Sequence, residues 1–318
     1  MHLTYITFIH RLAKFNPDSD MHKMLSRFKG QEIANLLWAF ATLNYRKSKL
    51  MDDVTPYILH VCSDGRSKRY DERSISRSFK RQEIANIAWS CAVLEQYPKQ
   101  LMPLLYTALF GEDGSNPELI RTIYSDEGIQ RQAVMTMFYV QMALDMEAPG
   151  LKLRLPLSFP MKWVESANVN SNVQSPDGNE NASLQLTTSR LQSKVGNVLD
   201  RLGFDHVEEH VISTNGIERS HNIVLSEDNQ EVLSIDMADV DKLIGLEVDG
   251  PGHFITVLDD ESGDEESLQM NGPTSLKDRL LNHLGWSVIH IPYYEWRELK
   301  GDDEAEDNYM QTKLQNVK

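Results

Sequence analysis

Three carboxylates and a histidine in the C-terminal half are the residues whose types and spacing could do chemistry. Glu247 and Asp249 stand two apart in the run IGLEVDGPGHF (Ile244–Phe254), Asp236 lies in the preceding run LSIDMADV, and His253 follows the glycine-proline turn. If both runs are strands, their period of two puts Glu247 and Asp249 on one face. Three carboxylates converging at adjacent strand ends offer the oxygen ligands that a hard Mg2+ ion takes, and such an ion can activate water against a phosphodiester. No cofactor is required if the site only binds; if it is catalytic, Mg2+ is the expected one. A structural role competes at each position. Asp249-Gly250-Pro251-Gly252 also makes a good turn whose aspartate bonds local amides, and His253 then belongs to that turn.

The elements that must hold these groups are legible around them. SRLQSKVGNVLDRLGF reads as an amphipathic helix closed by Gly203, and HVEEHVI, LSIDMADV, KLIGLEVDG and, after the helix SLKDRLLNHLGW, SVIHIPYY read as strands. The order is α, β, β, β, α, β, a small mixed sheet flanked by helices. The stretch 258–267 is an acidic insertion, expected to be disordered.

The N-terminal half contains a duplication. FKGQEIANLLWAFATL from Phe28 returns as FKRQEIANIAWSCAVL from Phe79, with ten of sixteen positions identical. Ile33, Leu36, Leu37, Phe40 and Leu43 recur at helical spacing, and Ile84, Ile87, Ala88, Cys91 and Leu94 copy them. Each copy is followed by a second apolar helical segment, near Leu50–Leu59 and Leu101–Phe110. Fainter copies stand at Tyr5–Asn16 and Ala133–Leu144. No such hairpin buries its face alone, so stacking into an α-solenoid is the physical solution. Trp38 and Trp89, recurring on an apolar face, are expected to pack against neighbouring repeats rather than to stack bases. Asn35 and Asn86 recur where an amide either faces a groove or satisfies buried backbone. Arg66, Lys68, Arg69, Arg73, Arg77, Lys80 and Arg81 form the densest basic run, either a solvated face or a set of phosphate contacts.

Length and composition bound the rest. The chain has 318 residues, 41% of them apolar, enough for a real core and for two domains. The division read from the sequence is a helical-repeat region over 1–150, a polar linker over 151–188 and a second domain over 189–318. No run of eighteen apolar residues exists, so no membrane insertion is expected. The only cysteines, Cys62 and Cys91, lie in helical segments, which argues against a disulfide framework and a cysteine zinc site. Net charge is −15, but unevenly spread: residues 1–100 carry 16 Lys and Arg against 10 Asp and Glu, and 151–318 carry 14 against 30. Phosphate binding follows local charge, so the mildly basic first third remains compatible with RNA.

The stretch Ser234 to Trp296 resembles the RAP domain, named as an RNA-binding domain abundant in apicomplexans. The similarity is carried by Glu247-Val248-Asp249-Gly250-Pro251 with His253, by Leu276, Arg279, Leu281, Leu284 and Gly285-Trp286, and by Ile291-Pro292-Tyr293-Tyr294-Glu295-Trp296. RAP domains resemble the restriction-endonuclease-like, PD-(D/E)XK-type fold, so the resemblance implies an α-helical hairpin solenoid followed by a small α/β domain of that type. Asp236 and Glu247 match the nuclease pattern, but Asp249 stands where it needs a lysine. That lysine orients the attacking water and offsets charge; Lys277 or Lys242 would have to supply the cation instead. QEIANLLWAFATLNY and QEIANIAWSCAVLEQY are similar to the octotricopeptide and FAST-kinase-like repeats that accompany RAP domains.

The resemblance implies an organellar protein that binds single-stranded mRNA or rRNA and acts in transcript processing, stability, rRNA maturation or translation. The organelle expected is the mitochondrion, with the chloroplast as the alternative; no clear presequence is visible. RNA-binding positions expected on this reading are Asn35, Asn86, Arg66, Lys68, Arg69, Arg73, Lys80, Arg81, His253, Lys277, Arg279, Tyr293, Tyr294 and Trp296. Two alternatives stand beside it. One is a metal-dependent endoribonuclease using Asp236, Glu247 and Asp249. The other is a scaffold binding RNA-granule or ribosome-assembly proteins.

Overall fold

The computed structural model of the chain describes residues 28–46, 50–62, 72–111, 128–155, 181–213, 231–258 and 266–316. The N-terminal part is helical: α1 (Gly30–Thr42), α2 (Leu50–Cys62), α3 (Glu72–Ser78), α4 (Arg81–Val93), α5 (Leu101–Phe110) and α6 (Gly128–Glu147). The duplication is a duplication of structure down to its ends. The Lys29 and Lys80 amides donate to Glu32 and Glu83, each three residues on, so both helices start with the same cap. Both stop at a left-handed residue, Asn44 with φ 49° and Glu95 with φ 58°. The faint repeat at Tyr5–Asn16 and the charged positions Arg66, Lys68 and Arg69 lie outside the described residues.

Helix α4 packs side by side with α1 and with α6. The apolar stripe read from the sequence is the buried one: Ile33, Leu37, Phe40, Ile84, Ile87 and Cys91 lie in one core with Phe138 of α6. Trp38 packs against the neighbouring repeat as expected, but outside the core. It is 47% exposed and stacks on Trp89 with ring centroids 6.4 Å apart. The helical period places it at the edge of the apolar stripe, in line with Asn35, and not at its centre.

The C-terminal part is α/β. After α7 (Asn181–Arg201) come β1 (Val207–Ser213), β2 (Glu231–Asp239), β3 (Ile244–Asp249), β4 (Phe254–Leu258), β5 (Glu266–Met270), α8 (Gly272–His283), β6 (Ser287–Pro292), α9 (Tyr293–Glu298) and α10 (Asp303–Gln315). Helix α7 reaches back into the stretch read as linker. The main sheet runs β1-β2-β3-β6, antiparallel except for the parallel pair β3 and β6, which α8 connects. Strands β4 and β5 form a separate antiparallel hairpin around the acidic run, whose residues 259–265 lie outside the described ones.

Two cores sandwich the sheet. Val195, Val198 and Leu199 of α7 cover Leu246, Val248, Ile289 and Ile291 on one side, with Trp296 and Met310. On the other, Ile235 and Trp286 join Leu276, Leu280 and Leu281 of α8 in the same core as the helical region. Helix α8 therefore belongs to both halves. It lies against α1, α4 and α6, and Gly272 makes the approach possible: a Cβ there would stand 1.8 Å from the Ala41 carbonyl oxygen and 2.6 Å from Val93 Cγ1. Among the described residues no helix is long and apolar enough to cross a membrane.

Candidate nucleic-acid interface

The chemistry-bearing residues meet on the α8 face of the sheet, at the carboxyl ends of the parallel pair β3 and β6. Such ends are where open α/β sheets commonly place ligands. The period of two turns Leu246 and Val248 into the core beneath α7 and leaves Glu247 and Asp249 facing α8. The parallel register sets His290 beside Glu247 and Pro292 beside Asp249. Asp236 arrives from β2, where the ladder to β3 ends at Met237 opposite Leu246. The strands part there, and the Val248 amide donates to Asp236 Oδ2 at 2.7 Å in place of a backbone carbonyl.

Lys277 supplies the cation that the Glu-x-Asp spacing lacks. Its Nζ, reaching down from α8, donates to Glu247 Oε2 at 2.7 Å. Lys242, the other candidate, pairs instead with Asp239 at a surface turn. A group not picked out in the sequence completes the centre: His290 Nδ1 stands 2.7 Å from Asp249 Oδ2, and Nε2 stands 3.3 Å from Asp278 Oδ1. His253 lies at the rim, its Nδ1 3.1 Å from Thr274 Oγ1 and 3.4 Å from Asp249 Oδ1.

Burial sets the protonation here. It pushes the Glu247 carboxyl up to about 7 against the pull of Lys277, and the nearby Asp236 and Asp249 push the same way. Asp236 is also raised by burial, held back by the Val248 amide and Lys277. For His290, burial works against the charged ring, but the bonds to Asp249 and Asp278 outweigh it and raise the imidazole to about 9. His290 is therefore a cation at neutral pH. The centre is an internally paired cluster with two buried oxygens, Glu247 Oε1 and Asp249 Oδ1, that lack a hydrogen-bond partner.

The donor set does not fit a divalent ion as it is arranged. Among the described residues no three His, Cys, Asp or Glu side chains are placed to hold a metal together. Glu247 Oε2 is taken by the Lys277 ammonium and Asp249 Oδ2 by His290. What the arrangement offers is a buried polar cluster with two unpartnered acceptor oxygens. Phe254, Tyr293 and Tyr294 form an aromatic cluster, half-buried, with centroids 5.3–6.1 Å apart.

The remaining expected positions divide. Trp296 is 5% exposed and packs edge-on against Tyr309, so it belongs to the core. The Arg279 guanidinium is turned to the helical region, donating to the Ala92 and Val93 carbonyls at 2.6 and 3.1 Å and to Glu147 at 2.9 Å. It closes the carbonyl end of α4, a place that favours a cation. Asn35 and Lys80 are exposed; Asn86 and Arg81 are half-buried. The Arg73 backbone is helical.

Residues 246–313 match the RAP domain family. This segment is a RAP domain. It takes in Glu247, Asp249, His253, Lys277, Arg279, His290, Tyr293 and Tyr294, and stops short of Asp236 on β2. The likeness to a curated relative extends beyond the RAP domain. The chain is 24% identical over 301 residues to a chloroplastic RAP domain-containing protein of Oryza sativa subsp. japonica, an alignment covering 89% of this chain. It spans 40% of that relative's length. The RAP domain points to RNA binding.

Proposed function

We propose that this chain is an organellar RNA-binding protein acting after transcription, in the processing, stability or translation of transcripts or in rRNA maturation. In this reading the stacked helical hairpins form a solenoid that lies along single-stranded RNA. The RAP domain, a variant of the restriction-endonuclease-like fold, holds one end of the RNA or a structured element of it. The chloroplast is the preferred compartment because the matched relative is described as chloroplastic. The RAP match over 246–313 carries the proposal. The charge arrangement supports recognition over cutting, since His290 takes up the Asp249 carboxylate that a catalytic metal would need. Ultraviolet crosslinking in cells tests it: RNA recovered well above background, dominated by organelle transcripts, is expected, and recovery at background level overturns it.

Endonuclease activity is a second reading, favoured by the unpartnered oxygens of Glu247 and Asp249. Cleavage of labelled RNA by the purified chain in Mg2+, abolished in Glu247→Gln, would establish it. Stable RNA binding with no cleavage would remove it.

A further inference from the structure

The row Gln31, Asn35, Trp38 on α1 recurs as Gln82, Asn86, Trp89 on α4. Steps of four and three residues place each triplet on one face of its helix. The two helices lie side by side, and the stack of Trp38 on Trp89 shows that the two faces are in register. Tyr139 occupies the matching position of α6, on the far side of α4. Three aromatic positions thus succeed one another across three packed helices, one per repeat. The first is open to solvent over nearly half its surface, and Trp89 and Tyr139 are half-buried.

Polar groups lie beside the rings. Gln82 Nε2 donates to Asn86 Oδ1 at 2.8 Å, which leaves Gln82 Oε1 shielded from solvent and without a partner. Gln31 and Asn35 are exposed. At the head of the same helices stand Lys29 and Lys80, exposed and with no ion pair among the described residues, where the helix dipole adds to their positive charge. Indoles for stacking, amides for base edges and ammonium groups for phosphates are what single-stranded RNA requires. A protein partner's core would instead meet a row of amides with unsatisfied donors and acceptors.

We infer that Trp38, Trp89 and Tyr139 form a base-stacking ladder for single-stranded RNA, with Asn35, Gln82 and Asn86 reading the base edges and Lys29 and Lys80 holding the backbone. This rests on the RNA-binding reading above and assigns it a surface. It also places the selective contacts on the helical region, away from the acidic centre of the RAP domain.

The test uses the full chain and a fluorescein-labelled pool of randomised 20-nucleotide single-stranded RNA, read by anisotropy. Trp38→Ala is expected to weaken binding roughly tenfold, in line with the loss of one stacked base. Asn35→Asp, a change at a solvent-exposed position, is expected to weaken it severalfold and to alter which sequences the pool yields. RNA is expected to quench the intrinsic tryptophan fluorescence of the parent chain and to quench Trp38→Phe distinctly less. If the parent chain binds the pool but both variants bind as tightly with unchanged quenching, the ladder is wrong and the RNA-binding reading stands. If the parent chain fails to bind the pool and crosslinks no RNA in cells, both fall. A protein partner lost on Trp38→Ala while RNA affinity is unchanged also overturns the ladder.

Discussion

The helical region and the RAP domain hold their polar groups in opposite ways. On α1 and α4 the amides, indoles and ammonium groups lie along one face, exposed on α1 and half-buried on α4 apart from Lys80, repeated once per hairpin. In the RAP domain the carboxylates are buried and answered from within, Glu247 by Lys277 and Asp249 by His290. Open, repeated groups can read a long ligand in steps. Buried, paired groups hold a shape and respond chiefly to pH. The two regions therefore differ in what a substitution should change: affinity in the first, stability in the second.

The largest effect should come from the seam between them. Arg279→Ala removes the guanidinium from Glu147, which keeps the Tyr97 hydroxyl, and the donors to the Ala92 and Val93 carbonyls, and should destabilise the chain by about 3–5 kcal/mol in chemical denaturation. Arg279→Lys should recover only part, because an ammonium cannot span three acceptors in the plane of a guanidinium. If instead stability held and RNA affinity dropped, Arg279 would move to the binding surface.

The acidic centre gives the next effect. The His290 imidazole is raised from its usual range to about 9, so its contribution is fully present below about pH 6.5 and is lost as pH rises through 9. Stability should fall by on the order of 3 kcal/mol across that window, and His290→Asn should flatten the profile there. Glu247, raised to about 7, works at lower pH: its contribution is present below about 4.5 and fades as pH rises through 7. Glu247→Gln should remove that lower limb and leave the upper one.

Gly272→Ala should cost about 1–3 kcal/mol, since the added methyl meets the Ala41 carbonyl and must push α8 off α1. The smallest stability change is expected at Trp38. Trp38→Ala should shift unfolding by no more than about 0.5–1 kcal/mol, whereas Trp296→Ala, in the core, should cost about 3–5 kcal/mol. Equal costs at the two tryptophans would erase the contrast between an open face and a packed one.

Much of this organisation could be read from the residues. The duplication, its apolar stripe and the four main strands follow from identity and periodicity, because those signals are local. The exposure of Trp38 was not legible: the period sets it at the edge of the apolar stripe, but how much of that edge is covered depends on the packing of α4 against α1. His290 was hidden for a different reason. In SVIHIP it looks like one polar interruption of a buried strand, and its meaning arises only when the parallel register sets it beside Glu247 and brings Asp249 and Asp278 to its two nitrogens. Strands β4 and β5 have no such signal: only Leu258 of the first and Glu266 and Ser267 of the second fall in the acidic insertion. Helix α10 had a readable start that went unused, the Asp302 cap on the Ala305 amide followed by acidic first-turn residues.

Helix α8 touches α1, α4 and α6, three successive members of the helical row, and is pinned at Gly272 and Arg279. Rows of helical hairpins are springs by nature, because each unit contacts only its neighbours. A rod laid across three units and fastened near both ends acts as a splint. The pitch between Trp38, Trp89 and Tyr139 is then set by the splint and not by whatever lies against them, so the spacing is a fixed gauge that a strand must match.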